Sequence, residues 1–346
     1  MTGPLLEVEE LRVGFSSDRG VVQAVEDVSL ELDEGELVCI VGESGCGKSV
    51  TALTIMGLTR SPTTRIEGSV RYEGSELLDA PESQLRALRG PGIAIVFQEP
   101  VTSLNPVQRV GPQIAEQIRA HTTLDKAETR QQVIESMRRL GIPQPEQRWY
   151  AYPHELSGGM CQRVMIAMAM SCSPRLLIAD ECTTALDVTI QAQILLQLRS
   201  LCDDHGIGVL LITHDLGVVA EVADRVVVLY NGRVVEQGTV RSIFEDPQHP
   251  YTWGLLGSMP RLDRPRREQL LTIPGAPPEP GTAGGGCSFL ARCPHAFDRC
   301  LEEPPLAPVP GASARESARC WLTPDERRHL RMVGGDIGLA PAGDVG

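Results

Sequence analysis

One eight-residue stretch, Gly42-Glu43-Ser44-Gly45-Cys46-Gly47-Lys48-Ser49, constrains this chain more than any other. It fits G-x-x-x-x-G-K-[ST], the loop that wraps the phosphates of a bound nucleotide. Before it runs Leu37-Val38-Cys39-Ile40-Val41, a continuous apolar strand of the kind buried on both faces. After it, Ser49 to Leu58 reads as helix. Strand, phosphate loop and helix are the context the motif requires; a chance glycine-rich turn does not account for both neighbours. Gly42, Gly45 and Gly47 let backbone N–H groups close around phosphate oxygens, with Ser44 in the same cradle. Lys48 is placed to reach the β- and γ-phosphates and Ser49 to offer its hydroxyl to Mg²⁺, while the helix start adds its positive dipole end.

The flanking pattern predicts the surroundings. Leu5 to Val8, Leu11 to Phe15 and Ala24 to Leu32 read as strands. Phe15 is the best-placed ring for stacking on adenine, with ordinary core packing the alternative. Residues from about 100 to 170 show helical periodicity broken at Gly141-Ile142-Pro143 and read as a helical insertion. Buried strands return at Leu176 to Ala179 and Val209 to Ile212, separated by a helix from Ile190 to Cys202, which predicts a largely parallel sheet with crossovers. Arg225 to Tyr230 and Arg233 to Gln237 form a hairpin around Asn231-Gly232, a type I′ signal. Past Pro247 the chain is rich in Pro, Gly and Arg with weak periodicity until Cys287, and from Gly334 the Gly/Ala/Pro-rich tail is expected to be disordered.

Asp180-Glu181 closes the buried run at 176–179, at the strand edge where open α/β sheets bind ligands. Asp180 suits Mg²⁺, usually through water, and Glu181 suits orienting the water that attacks a γ-phosphate, against the alternative of two solvated acids. Ser157, Gly158 and Gly159 precede the apolar helix Val164 to Met170 and make an anion-binding cap. His214, after Leu211-Ile212-Thr213, and Gln98, after Val96-Phe97, end two further strands. By themselves these are a structural hydrogen-bonder and a loop residue.

Composition excludes some roles. A net charge of −13 over 346 residues argues against a nucleic-acid partner. No basic start with an apolar run suggests export, and Val209 to Tyr230, greasy as it looks, contains His214, Asp215, Glu221, Asp224 and Arg225, so any membrane role is expected to be peripheral. Of the ten cysteines, Cys287, Cys293, Cys300 and Cys320 crowd the C-terminal part. Four thiolates suit an iron–sulfur cluster or Zn²⁺. The C-x2-4-C knuckles that zinc favours are absent, which puts a [4Fe–4S] cluster first, and bare structural thiols are the remaining alternative.

The order and wording of these segments resemble the oligopeptide/dipeptide branch of ATP-binding-cassette (ABC) importer ATPases over nearly the full length. The telling phrases are Val41-Gly-Glu-Ser-Gly45, residues 97–106 beginning Phe97-Gln98, Tyr152 to Met160 containing Leu156-Ser157-Gly158-Gly159, Thr183 to Gln191, and His249-Pro-Tyr-Thr252. The branch also ends in a four-cysteine region like residues 287–320, resembling the iron–sulfur site of some members. The resemblance implies an α/β P-loop fold with a RecA-like parallel core, an antiparallel β subdomain, a helical insertion and a small irregular C-terminal extension. Its domains would be an ATPase at 1–247, the extension at 248–333 and a tail at 334–346. It also implies His214 as a switch on the γ-phosphate, Gln98 as an Mg²⁺ contact coupling to the transporter, and Asp187, in Ala185-Leu186-Asp187, as part of the loop through which two halves sense one another. Residues 157–159 would cap ATP bound by a second subunit. The implied role is an ATP- and Mg²⁺-dependent ATPase energising import of short peptides from the cytoplasmic face of the membrane. Its partners would be a related second ATPase, two membrane-spanning permeases and an extracytoplasmic binding protein. Importers of nickel, glutathione or oligosaccharides use near-identical ATPases. Non-transport relatives on DNA or ribosomes carry coiled coils or fused cassettes, absent here.

Three departures from the branch pattern are Cys46 for Ser, Cys161 for Gln or Arg, and Cys182 for the Pro after Glu181. Three thiols near the nucleotide invite redox control, with small inert buried thiols as the alternative. The cysteine region and the nucleotide site are expected in separate domains, so that Cys293→Ser leaves nucleotide binding largely intact.

Overall fold

The computed structural model describes residues 3–17, 20–98, 103–183, 187–259, 273–279, 281 and 285–333. The tail from 334, residues 99–102 of the 97–106 phrase, and Thr184 to Leu186 lie outside them. The first half runs β1 (Leu6–Ser17), β2 (Gly20–Leu32), β3 (Leu37–Val41), α1 (Lys48–Ile55), β4 (Thr64–Tyr72), β5 (Ser75–Glu76), α2 (Glu82–Leu88) and β6 (Ile93–Val96). A helical segment follows: α3 (Val110–His121), α4 (Lys126–Arg139), α5 (Pro145–Arg148) and α6 (Gly158–Met170). Then come β7 (Leu176–Asp180), α7 (Val188–His205), β8 (Gly208–Thr213), α8 (Leu216–Val222), β9 (Arg225–Tyr230), β10 (Arg233–Thr239), α9 (Val240–Glu245) and α10 (Pro250–Gly257). The C-terminal part adds β11 (Ala307–Pro308), β12 (Ser317–Ala318) and α11 (Pro324–Val333).

The strands join in the order β5-β4-β1-β2-β10-β9-β3-β8-β7-β6. From β9 to β6 every pairing is parallel, while β1, β2, β4 and β5 pair antiparallel. The period-2 alternation of strands divides the central residues between two apolar layers. Cys39, Val41, Leu177, Ala179 and Leu211 face the helical segment and α7, whereas Val38, Ile40, Ile178, Leu210 and Ile212 face α1 and the antiparallel strands. Each buried Leu or Ile contributes about 1.5–3 kcal/mol by leaving water. Three of the helices begin at side-chain caps that bear on the site's surroundings: Asp125 and Glu128 form a capping box on α4, Ser157 caps α6 and Asp187 caps α7.

Three expectations change. The two opening strands are one, β1, whose register slips between Val8 and Leu11 where Glu10 takes φ 45°. The weakly periodic stretch after Pro247 contains the buried helix α10, which is apolar nearly all round and so shows no amphipathic signal. The C-terminal extension is tied into the sheet, because β12 pairs antiparallel with β10 (Glu236 opposite Ala318, Gln237 opposite Ser317). The β9–β10 hairpin turns through Asn231 (φ 46°) and Gly232 (φ 76°), as expected.

Candidate nucleotide site

The phosphate loop is squeezed between two backbones, which fixes two of its glycines. At Gly42 (φ 157°) a Cβ would lie 2.2 Å from the Leu229 carbonyl oxygen, and at Gly47 (φ 102°) 2.6 Å from that of Ala24. Ser44 and Gly45 are exposed on the rim. Lys48, buried at the start of α1, donates from Nζ to the carbonyls of Gly42 (2.8 Å) and Glu43 (3.0 Å). Its ammonium is thus folded back onto the loop's own carbonyls.

At the end of β7, buried Asp180 accepts a hydrogen bond from Ser49 Oγ (3.1 Å). Burial pushes its carboxyl above the usual carboxylate range, and Ser49 and Lys48 partly offset that. Glu181, the next residue, sits at φ 45°, a left-handed backbone costing a non-glycine residue on the order of 1–3 kcal/mol. Its N–H donates to the Ile212 carbonyl (2.9 Å), which continues the β7–β8 ladder by one rung. Three groups distant in sequence converge on the Glu181 carboxylate. Gln98 Nε2 donates to Oε2 (2.8 Å), His214 Nδ1 stands 3.6 Å from Oε1, and Lys48 Nζ stands 3.8 Å from it. Gln98, Lys48, Ser49, Asp180, Glu181 and His214 are therefore one constellation at the C-terminal edge of the parallel strands.

Ser157, Gly158 and Gly159 lie elsewhere. Ser157 Oγ accepts from the Met160 N–H (3.3 Å). Gly158 faces open space, and a Cβ on Gly159 would meet Ile190 at 3.0 Å. These residues line an open depression of about 460 Å³ with Arg163, Asp187 and Ile190, to which the phosphate loop contributes nothing. Asp187 Oδ1 accepts from the Ile190 N–H (2.9 Å). Phe15 is half-buried in β1 and packs against the apolar layer under α1. Cys46, Cys161 and Cys182 are buried, and burial raises each thiol above its ordinary range, Cys182 to about 12.

Cys287, Cys293, Cys300 and Cys320 line one small apolar cavity with His249, Phe289, His295 and Trp321. They are free thiols. Burial first, and each other's proximity second, pushes Cys293 up to about 12 and Cys320 to about 11. As the side chains stand, no three His, Cys, Asp or Glu groups among the described residues are gathered as for one metal ion.

The two regions, expected in separate domains, are in direct contact. Arg292, next to Cys293, donates through both terminal nitrogens to the carboxylate of Glu43 in the phosphate loop (2.6 and 3.0 Å). Tyr251 of α10 accepts the Glu43 N–H at its hydroxyl (3.0 Å). Tyr230, Tyr251 and Phe289 pack ring to ring beneath this link, which is how α10 and residues 286–293 are brought against the end of β9. Sequence reasoning missed Glu43, Tyr251 and Arg292 as a unit. The one available signal was Tyr251 within His249-Pro-Tyr-Thr252.

Residues 25–184 match the ABC transporter family, and residues 235–300 match the family described as oligopeptide/dipeptide transporter, C-terminal region. The oligopeptide transport ATP-binding protein OppD of Salmonella typhimurium is 49% identical over 87% of this chain and 90% of its own length. The dipeptide transport ATP-binding protein DppD of Bacillus subtilis is 46% identical over 96% and 98%. Among solved structures, the dimeric structure of MJ0796, a bacterial ABC transporter cassette, superposes with a TM-score of 0.62 at 27% identity, covering 68% of this chain and 99% of that one. A post-hydrolysis dimer of the same cassette bound to ADP and Pi gives the same values.

Proposed function

We infer the function from membership: this chain belongs to the ABC transporter ATP-binding subunits, in their oligopeptide/dipeptide branch. It is an ATP hydrolase that energises import of short peptides. The observation that carries the reading is the convergence of Lys48, Gln98 and His214 on Glu181 beside the Ser49–Asp180 pair.

The roles we assign are those the family resemblance implies, and the convergence on Glu181 supports them. The N–H groups of the loop other than those of Glu43 and Cys46, and the Lys48 ammonium, hold the β- and γ-phosphates, with Phe15 towards the adenine. Ser49, Asp180 and Gln98 are placed to hold Mg²⁺, which would neutralise charge on the phosphate oxygens. Glu181 orients the attacking water and draws off its proton as the bond to the γ-phosphorus forms and that to the leaving ADP oxygen breaks. His214 steadies the γ-phosphate. Ser157, Gly158 and Gly159, remote from this chain's own loop, cap ATP held by a second, related ATPase, and Asp187 lies at that junction. ATP favours the closed pair over the open one, and this differential affinity drives the two permease subunits. Among the described residues no helix is long and apolar enough to cross a membrane. We place the chain on the cytoplasmic face, held there by those permeases, with an extracytoplasmic binding protein delivering cargo. In this scheme residues 1–247 are the ATPase and 248–333 an extension of it.

The soft donor set of Cys287, Cys293, Cys300 and Cys320 around one apolar cavity fits a [4Fe–4S] cluster. What supports this reading is the shared lining of that cavity by all four thiols, although they are not gathered as for a single metal ion. When bound, such a cluster would supply either a clasp for the extension or one-electron chemistry. Anaerobically prepared protein should then be brown and bleach with dithionite; colourless, iron-free protein argues for zinc or bare thiols.

The functional test is to purify the Glu181→Gln protein from native membranes with ATP and identify its companions by mass spectrometry. Two multi-span proteins, a second ATPase and a binding protein are expected. That binding protein, screened with peptides, nickel, glutathione and oligosaccharides, decides the cargo, which the ATPase itself never touches. Soluble companions alone, ribosomal or DNA-associated, would sink the transport reading.

A further inference from the structure

Arg292 is 7% exposed, and all three nitrogens of its guanidinium are engaged. Its Nε donates to the Pro274 carbonyl (2.9 Å), its terminal nitrogens donate to both Glu43 carboxylate oxygens, and one of them also reaches the Tyr230 hydroxyl (3.3 Å). The residue it grips is part of the phosphate loop. Glu43 presents its carbonyl to Lys48 and its N–H to Tyr251, while its carboxylate turns to Arg292 of the cysteine module. An unneutralised carboxylate on this loop would oppose the incoming polyanion, and a bidentate Arg pair both cancels that charge and fixes its direction. Arg292 closes the short helical turn Leu290–Arg292 that leads directly into Cys293.

We propose that Arg292 is a positioning residue of the nucleotide site, through which the four-cysteine module sets the loop's affinity for ATP by holding the Glu43 carboxylate off the phosphates. The proposal rests on 42–49 being the phosphate loop. It goes beyond that assignment in making the C-terminal module part of the nucleotide site.

The test is equilibrium binding of MgATP to the full-length chain. Arg292→Gln should weaken binding about tenfold, within the range of coupling for contacting groups. Adding Glu43→Gln to that variant removes the liberated carboxylate and should restore affinity to within about threefold of wild type, a rescue that general loosening would not give. Glu43→Asp leaves the module intact but shortens the reach to Arg292. It should weaken binding severalfold, and it stands in if Arg292→Gln does not fold. Unchanged affinity in Arg292→Gln or in Glu43→Asp, or a double variant no better than Arg292→Gln, overturns the proposal. A wild-type chain that does not bind MgATP would overturn the phosphate-loop assignment instead.

Discussion

Glu181 carries the strongest constraint on any single residue. A glutamate held at φ 45°, with its N–H tied to Ile212, is in a conformation the chain sustains at a cost, and such strain collects where a side chain must be aimed. Glu181→Gln keeps the shape and the Gln98 contact but removes the base. ATP hydrolysis is expected to fall by at least about 100-fold while MgATP affinity stays within a few-fold. A phosphate-release assay beside a binding titration checks both, and a wild-type rate would take Glu181 out of this role. The thiols nearby point the other way. Cys46, Cys161 and Cys182 are buried and held protonated, so the redox-control idea loses its reactive thiolate. Mild alkylation at neutral pH is expected to leave ATPase activity intact. Loss of activity that bound ATP prevents would restore thiol control.

Among the elements, β10 and α10 show how the extension is fastened. Glu236 of β10 is buried and accepts the N–H groups of Gln248 and His249 at the start of α10, and burial pushes its carboxyl up to about 7. Because the folded value lies above the ordinary 4.5, the folded state binds this proton more tightly than the unfolded chain. The stability so gained is full below about pH 4.5 and is lost as pH rises through about 7. Relative to Glu236→Gln, the wild type should therefore lose roughly 3 kcal/mol between those limits, readable as diverging urea midpoints. Equal pH dependence of the two proteins would rule this out. Such fastening also explains what the sequence left hidden. The phosphate loop, the Asp180–Glu181 pair and the Ser157 cap were legible because each is a local pattern whose spacing the chemistry dictates. The Arg292–Glu43 pair spans 249 positions and leaves no local period or motif. α10 was illegible because a helix buried on all sides has no polar face to mark its turns. Since Arg292 adjoins Cys293, Cys293→Ser should weaken MgATP binding by a few-fold, contrary to the independence expected from sequence. Unchanged affinity would mean that the turn holding Arg292 stands without its neighbour.

At the scale of the whole molecule, the proposed function makes the chain one half of a pair of ATPases. Lys48, Ser49, Asp180 and Glu181 gather at its phosphate loop, but the Ser157 cap lines a depression to which none of them contributes. In the function proposed above, the γ-phosphate that this cap reads arrives on another subunit. This separates binding from turnover in a way one substitution can test. Gly158 faces open space, so Gly158→Asp puts a carboxylate on the cap without a clash inside the chain. MgATP affinity of the isolated chain should stay within about twofold of wild type, since no group near residues 42–49 changes. In the assembled complex, hydrolysis at the site this cap completes should fall by at least about tenfold, because the new charge opposes the partner-bound γ-phosphate at short range. Lost affinity in the isolated chain would place the cap over its own nucleotide, and full turnover in the complex would leave the cap without a role in the sandwich.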